Sequence, residues 1–352
     1  MPLAAIEHSL FLIGDVGNPA SPVEPVLAAL HTAMARNAPH STVVFLGDNI
    51  YPRGMLRVGH ADRADSERRV VMQVHAVPAA SRGFFIMGNH DWRRGADDGW
   101  QAVKDQEAFI ISLARSSVRV APGDGCPGPE TVDLSPQLRL VLLDTQWWLH
   151  GDVKPRDPES ACPTDSMGEI ATAIRGTVAA AGDRHVVVVG HHPLVSGGVH
   201  GGRFDWKDHV FPLRALKRWL WIPLPIIGSL YPLVRGGGIS SQDMPSSTNR
   251  RLRDSLSAAF AGIPIAYAAG HDHNLQVLHG DQAQFLLVSG AGYYGHTSKA
   301  FRTPETYFAR ATSGFMQIDI LTDGRVRLGV LEVDQHGTAA ELFSMWLTAR
   351  RE

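Results

Sequence analysis

Five short motifs put a metal-binding type of side chain directly after an apolar segment and a glycine. The motifs read FLIGDVG, VVFLGDNIY, FFIMGNHDW, VVVVGHHP and AYAAGHDHN. Their candidate ligands are Asp15, Asp48, Asn89, His90, His191, His192, His271 and His273. One acid after a strand is usually part of a turn, and one buried histidine is usually a hydrogen-bonded core residue. Five motifs of the same form, each at the end of a predicted strand, instead predict a shared site.

The side chains in these motifs are carboxylates, an amide and imidazoles. This mixture of oxygen and nitrogen donors suits iron, manganese or zinc, and it differs from the thiolates that bind structural zinc. A carboxylate has two oxygens and can bridge ions about 3.5–4 Å apart, the spacing found in two-metal hydrolases. Asp48 is the best bridging candidate, so the motifs predict a centre with two metal ions.

Positioning these motifs requires strands that end at a common edge. Apolar runs predict strands, and the stretches between them predict helices. The predicted strands cover 9–13, 42–46, 83–87, 138–143, 185–189 and 264–268, and the predicted helices cover 23–36, 64–77, 100–113, 167–180 and 249–260. Further strands, without helices between them, are predicted at 284–288, 314–321 and 326–333. The pattern predicts an α/β fold in α+β layers, with a mixed sheet or two packed sheets.

The composition is that of an ordinary globular protein. The chain has 352 residues, of which 44% are hydrophobic and 19% charged. No internal repeat or low-complexity linker is visible, so we expect one domain over 1–352. The 33 basic and 35 acidic residues give a formal charge of −2, which favours no general attraction to nucleic acid or anionic lipid. The N-terminal segment MPLAAIEHSLFLIG lacks the pattern of a signal peptide.

Two cysteines, Cys126 and Cys162, lie in loops rich in proline and glycine. A disulfide between them would indicate an oxidising compartment, periplasmic or extracellular, whereas two free thiols would fit a cytoplasmic protein. The pair has no diagnostic spacing, so the sequence leaves both alternatives, and with them the localisation, open.

The ordered series GDVG, GDNIY, GNHD, GHH and GHDH resembles the calcineurin-like metallophosphoesterases, and in its details the purple acid phosphatase branch. The match extends from Asp15 to His273. The resemblance implies two packed mixed β-sheets flanked by helices, a metallophosphoesterase-like sandwich. The resemblance implies that one metal is held by Asp15, Tyr51 and His273. The other is held by Asn89, His191 and His271, and Asp48 bridges the two.

The activity that the resemblance implies is hydrolysis of small-molecule phosphate esters by in-line attack of a metal-bound hydroxide. A phosphomonoesterase is expected. A phosphodiesterase or nuclease would use the same metals, and a non-catalytic scaffold would be expected to have lost ligands. His90 is the expected proton donor to the leaving group, with Asp91 orienting it. His200, in the loop SGGVHGG, lies where the family often carries a phosphate-contacting histidine.

The sequence departs from the wider family at Gly17, where most members carry a histidine. Tyr51 can replace that ligand, but a free phenol has a pKa of about 10 and needs a strong Lewis acid to become a phenolate. Ferric iron is such an acid. Exchanging a neutral histidine for tyrosinate adds one negative charge, and exchanging a divalent for a trivalent ion adds one positive charge. The net charge of the site is therefore unchanged. We therefore expect Fe(III) with divalent iron, zinc or manganese; the alternative is two divalent ions, with Tyr51 a packed aromatic residue.

An apolar insertion at about 203–248 separates the last two motifs. Its segment 214–238 is interrupted by prolines and is too short to cross a membrane. The segment could form a lid over a hydrophobic leaving group, an oligomer contact or, through 214–235, a membrane-surface anchor. Ordinary packing on the outside of a sheet is an equal alternative.

Overall fold

The computed structural model describes residues 5–347, apart from 20–21, 152, 157–159, 216–218, 225–226 and 282. The strands in these residues are β1 (Ile6–Ile13), β2 (Ser41–Leu46), β3 (Arg82–Ile86), β4 (Val118–Val120), β5 (Glu130–Ser135), β6 (Leu138–Leu142), β7 (His185–Val189), β8 (Ile265–Ala269), β9 (Leu275–Leu278), β10 (Phe285–Ser289), β11 (Thr306–Arg310), β12 (Gly314–Leu321), β13 (Val326–Val333) and β14 (Ala339–Trp346). The helices are α1 (Pro25–Ala35), α2 (Arg63–His75), α3 (Gly99–Ser112), α4 (Gln146–Leu149), α5 (Met167–Ala179), α6 (Trp206–Val210), α7 (Leu230–Gly236) and α8 (Ser247–Phe260).

The described strands form two seven-stranded mixed sheets, which confirms the predicted fold of two packed sheets flanked by helices. The first sheet has the order β14-β13-β12-β1-β2-β3-β4, and the second β11-β9-β10-β8-β7-β6-β5. In the centre of each sheet the strands are parallel, because a helix-containing connection returns the chain to the same end before the next strand. In the first sheet the parallel strands continue to the edge at β4, and antiparallel strands flank them on the β1 side only. In the second sheet antiparallel pairs lie on both sides of the parallel strands.

Apolar side chains from both sheets fill the space between them. Because successive strand residues point to opposite faces, Val44 and Leu46 of β2 lie in this inner layer with Leu140 of β6. Val43 and Phe45 point the other way, into the layer beneath the helices. All six residues of β2 are therefore buried, which is why the strand reads as a continuous apolar run.

Four of the five strands that the sequence did not predict are the edges of the two sheets: β4, β5, β11 and β14. Three of these edge strands consist almost entirely of partly buried and exposed residues, and β4 has only three residues. Edge strands that are short or polar resist pairing with another chain, so they lack the apolar run by which central strands are recognised. The five long helices begin and end within two residues of their predicted bounds.

Cys126 and Cys162 form a disulfide, so the structure supports the first of the two cysteine alternatives. The bond joins the loop before β5 to the segment before α5. Within the described residues, no helix combines the length and hydrophobicity that crossing a bilayer requires.

Candidate metal centre

The loops that carry the predicted ligands follow central strands of both sheets. Asp15, Asp48 and Asn89 come two or three residues after β1, β2 and β3, and His191 and His271 come two residues after β7 and β8. Within each sheet these strands are parallel, so their carboxyl ends lie at one edge. The backbone N–H of His271 donates to Asp15 Oδ2 at 2.8 Å and joins the two edges directly. The sandwich thereby brings the five loops together.

Three ligand positions have a left-handed backbone: φ is 60° at Asp15, 54° at Asp48 and 69° at His271. Such values are unusual for residues other than glycine and cost on the order of 1–3 kcal/mol each. Gly88 shows how closely these loops pack, because a Cβ at that position would lie 2.3 Å from Asp48 Oδ1. The backbone is strained where it turns these side chains toward the centre.

The first group of converging side chains consists of Asp15, Tyr51 and His273. Tyr51 Oη lies 3.0 Å from Asp15 Oδ1 and 3.1 Å from His273 Nε2, and those two partner atoms are 3.3 Å apart. Burial, followed by the charges of Asp15 and Asp48, raises the pKa of the Tyr51 phenol well above its ordinary value. Without a cation the phenol stays protonated and donates to Asp15, so a phenolate here requires a strong Lewis acid.

The second group consists of Asn89, His191 and His271. His191 Nε2 lies 3.1 Å from Asn89 Oδ1 and 3.2 Å from His271 Nδ1. The other nitrogen of each ring faces a backbone carbonyl: His191 Nδ1 is 2.8 Å from Leu46 O, and His271 Nε2 is 3.1 Å from Gln242 O. Because a carbonyl can only accept, the ring N–H points at it and the unprotonated nitrogen points into the group.

Asp48 lies between the two groups. Its Oδ1 is 3.5 Å from His191 Nε2, and one ligand atom each of Asp15, Asp48 and His191 lie within 4.8 Å of one another. Both carboxylates are buried, and no lysine or arginine of the described chain pairs with either. Burial alone would lower the pKa of His191, but the charges of Asp48 and Asp15 raise it. The centre therefore attracts positive charge.

These contacts fit a pair of cations. Lone-pair atoms that face one another across hydrogen-bond distances repel unless a cation or a proton lies between them, and buried carboxylates need a compensating charge. The donors are oxygen and nitrogen without sulfur, which suits iron, zinc and manganese. The residues present therefore fit the two metal ions that the sequence predicts.

Gly17 lies against the loop that carries Tyr51. A Cβ at Gly17 would lie 2.4 Å from the backbone carbonyl carbon of Asn49 and 2.5 Å from the nitrogen of Ile50. Gly17 N–H donates to Asp48 O at 3.0 Å, and Tyr51 N–H donates to Gly17 O at 3.0 Å, so backbone hydrogen bonds fix this spacing. No side chain fits at position 17 without moving a loop that carries ligands.

His90 lines the cleft beside Tyr51 and Asp48. The ring centroids of His90 and Tyr51 are 4.2 Å apart, and His90 Nε2 is 3.9 Å from Asp48 Oδ2. His90 Nδ1 lies 2.7 Å from Pro52 O, so Nδ1–H donates to that carbonyl and Nε2 is left toward the centre.

The hydrogen bonds of Asp91 correct the expectation that it orients His90. Its buried carboxylate accepts from the backbone N–H groups of Asn49, Ile50 and Gly88 at 2.8–3.2 Å. Burial, with the charge of Asp48 adding to it, raises the pKa of Asp91 to about 7. The two side chains face different surroundings, His90 the cleft and Asp91 the interior. Asp91 therefore connects, through hydrogen bonds, the loop after β2 to the loop after β3.

His200 reaches the cleft from the loop 196–200. Its Nδ1 lies 2.9 Å from Asp243 Oδ1, and its ring centroid is 3.8 Å from that of His271. The backbone N–H of His200 donates to Asp272 Oδ1 at 3.2 Å, and Ser196 Oγ donates to Asp272 Oδ2 at 2.5 Å. Asp272, between two predicted ligands in the sequence, thus ties this loop to the centre.

Sequence reasoning missed Gln242 and Asp243, which lie at the inner end of the insertion. Besides its carbonyl contact with His271, Gln242 presents Oε1 2.9 Å from His192 Nε2. His192 Nδ1 in turn lies 2.8 Å from Thr145 Oγ1. Both ring nitrogens of His192 are therefore engaged, and this histidine supports Gln242. The local sequence SSQD offers no signal for this role, because only the fold brings it to the centre.

A cleft of about 530 Å³ opens onto these side chains. Its volume lies within the range of small-molecule sites. The described residues that line it are Asp48, Asn89, His90, Arg94, His200, Ile239, Ser240, Gln242, Asp243, His271 and His273.

Comparison with curated proteins finds two relatives from Arabidopsis thaliana. Purple acid phosphatase 3 is 22% identical over 221 residues, which cover 58% of this chain and 53% of the relative. Purple acid phosphatase 4 is 22% identical over 365 residues, which cover 96% of this chain and 85% of the relative. The match thus spans about half the length of the first relative. No protein-family model matches the chain.

Comparison with solved structures finds the same fold at low sequence identity. GAP50, titled the anchor in the inner membrane complex of Plasmodium, has a TM-score of 0.57 and 12% identity, covering 99% of this chain and 90% of its own. Purple acid phosphatase PPD1 from yellow lupin (Lupinus luteus) seeds has a TM-score of 0.56 and 11% identity, covering 96% of this chain and 53% of its own. Together, the relatives and the shared fold support the resemblance that the strand-end motifs predict.

Proposed function

We propose that this chain, a metallophosphoesterase similar to the purple acid phosphatases, hydrolyses phosphate monoesters with a centre of two metal ions. The observation that carries the proposal is the convergence of seven candidate ligands in two groups around Asp48, beside a cleft of small-molecule size.

The two groups assign the ligands. Asp15, Tyr51 and His273 would bind one ion, Asn89, His191 and His271 would bind the other, and Asp48 would contact both. When bound, the ions would supply Lewis-acid chemistry, activating water and neutralising charge on the phosphoryl group. The backbone carbonyls that accept from His191 and His271 would hold each ring in the tautomer that binds a metal.

His90 would supply the proton that the leaving group needs. Its Nδ1–H is held by Pro52 O, so Nε2 can carry and release a proton in the cleft. The carboxylate of Asp48 lies 3.9 Å from Nε2. His200, oriented by Asp243, would donate a hydrogen bond to a phosphoryl oxygen.

The first ion would be ferric iron. Tyr51 Oη is within 3.1 Å of the other two side chains of the first group, and a phenol whose pKa is raised by burial becomes a ligand only for a strong Lewis acid. The close approach at Gly17 excludes the histidine that would suit a divalent ion. The second ion, held by neutral histidines and an amide, would be divalent iron, zinc or manganese.

One experiment separates this function from its alternatives. Protein purified without chelators is assayed side by side with 4-nitrophenyl phosphate and bis(4-nitrophenyl) phosphate. We expect kcat/KM for the monoester to exceed that for the diester by about tenfold or more. A preference for the diester would indicate a phosphodiesterase or nuclease. Protein that retains two metals and hydrolyses neither ester would act as a scaffold, a role for which the anchor described for GAP50 is a structural precedent only.

The disulfide supports an oxidising compartment, periplasmic or extracellular. Thiol titration of the unfolded, unreduced protein isolated from its native host should find no free thiol. Two titratable thiols would contradict this localisation.

A further inference from the structure

Arg94 is the one lysine or arginine among the described residues that line the cleft. It follows Asn89 and His90 on the same loop, and its backbone N–H donates to Asn89 O at 2.7 Å. Its side chain is exposed, and no acidic partner for it occurs among the described residues. A cation thus lines the cleft without being neutralised by the protein.

The neighbouring arginine has a different role. Arg93 Nη1 lies 3.2 Å from Asp98, and Nη2 donates to Met55 O at 3.0 Å. These contacts fasten the turn to the protein. Arg94 is therefore not needed to anchor the turn, and its guanidinium remains available to a ligand.

The backbone of this turn is unfavourable for arginine. φ is 51° at Arg93, 58° at Arg94 and 86° at Gly95, so three consecutive residues are left-handed. Glycine adopts this conformation without strain and asparagine more easily than arginine, so a turn with no other task favours them. An arginine held in a disfavoured conformation at the edge of a cleft points to a function of its side chain.

We propose that Arg94 binds a second phosphate group of the substrate, distinct from the one that is hydrolysed. This inference rests on the proposed function. The two ions would neutralise the reacting phosphoryl group, whereas Arg94 offers a planar, permanently charged donor suited to bidentate contact with another phosphate. A cleft of about 530 Å³ has room for more than a single phosphate. The substrate class is therefore small molecules with two phosphates.

Calorimetric binding to the metal-loaded protein tests this directly, with the hydrolysis-resistant methylenephosphonate analogues of fructose 6-phosphate and fructose 1,6-bisphosphate as probes. We expect the native protein to bind the bisphosphate about 10- to 100-fold more tightly, as charge-assisted hydrogen bonds predict. In Arg94→Ala the ratio should fall to about two, the statistical value for two equivalent phosphates. Arg94→Lys should give an intermediate ratio, since lysine keeps the positive charge but lacks the planar guanidinium that makes two parallel hydrogen bonds to a phosphate.

Arg57→Ala is the matched control, because Arg57 is an exposed arginine that contacts Asp98 of the same loop but does not line the cleft. It should keep the native ratio. A native ratio near two, or an unchanged ratio in Arg94→Ala, would overturn the inference. Because binding is measured without turnover, this outcome is distinct from a failure of the ester assay, which would overturn the proposed function.

Arg94→Gly separates a ligand-binding role from a structural one. Glycine relieves the left-handed strain, so we expect a Tm equal to or above the native value together with loss of the bisphosphate preference. A lower Tm would mean that the arginine side chain stabilises the turn, and would contradict its assignment to the substrate.

Discussion

The candidate metal centre and the insertion 203–248 lie next to each other but follow opposite physical rules. At the centre, Asp15 and His191 are completely buried, and backbone hydrogen bonds fix the loops that carry them. In the insertion, Trp206, Trp219 and Leu233 remain 64%, 70% and 64% exposed. The first region buries polar groups and the second exposes apolar ones.

The contrast shows where this fold is constrained. Buried polar side chains are stabilised where other donors and acceptors surround them, and the strand ends of two packed sheets supply that environment. In the insertion, polar groups hydrogen-bond to the centre at the inner end, where Gln242 contacts His271 and Asp243 contacts His200. We therefore expect substitutions to be severe at the centre, moderate at the inner end of the insertion and weak on its outer surface.

The largest effect is expected for Asp48→Asn. Removing the shared charge should lower metal content at both positions and reduce kcat/KM by about 10³ or more, since charge stabilisation by the ions is worth several kcal/mol. Metal analysis and the monoester assay measure the two effects. Asp319→Asn is the control, because Asp319 is a buried carboxylate that accepts from Ser9 and Gln317 far from the centre in the sheet. A variant with both metals and near-normal turnover would rule out a shared ligand.

His90→Ala should reduce kcat by about 10² to 10⁴, the usual worth of a general acid. Its metal content should stay native, because the His90 ring contacts Tyr51 and Asp48 from the cleft side, and the backbone N–H of His90 that donates to Asp48 Oδ1 at 2.8 Å remains in the variant. Loss of a metal from this variant would make His90 a ligand instead.

Gly17→Ala should destabilise the protein by about 1–3 kcal/mol, because the new Cβ would overlap the backbone of the Tyr51 loop. Urea unfolding measures this change. Gly176→Ala is the control: its Cβ meets nothing within 4 Å, and α5 should gain about 0.5–1 kcal/mol from the exchange. Native stability in Gly17→Ala would mean that the loops can separate and admit another ligand.

The smallest effects are expected in the insertion, and they should differ between its two ends. Gln242→Ala removes the acceptor beside His192 and should weaken metal binding about tenfold, as for other groups that support a ligand. Trp219→Ser should change the free energy of unfolding by less than about 0.5 kcal/mol and leave metal affinity unchanged. Equal effects of the two substitutions on metal affinity would remove the distinction between the ends of the insertion.

The same contrast explains what the sequence could predict. The central strands, the long helices and the strand-end ligands rest on local signals, namely apolar runs, periodicity and glycines before polar residues. The edge strand β5 lacks those signals, because solvent exposure permits the polar residues that interrupt its apolar pattern. Gln242, Asp243 and the true partners of Asp91 depend on contacts between distant segments. The expectation that Asp91 orients His90 could not anticipate its backbone partners Asn49, Ile50 and Gly88 for that reason.

In the proposed metal centre, Tyr51 would take the place of a histidine, for which Gly17 leaves no room. The central test of this assignment is the metal content and visible spectrum of native protein and of Tyr51→Phe. We predict one iron per chain and a broad charge-transfer band from tyrosinate bound to ferric iron, and we predict that Tyr51→Phe loses the band while keeping its fold. Colourless protein that contains ferric iron would contradict the account. Two divalent ions with unchanged turnover in Tyr51→Phe would contradict it equally.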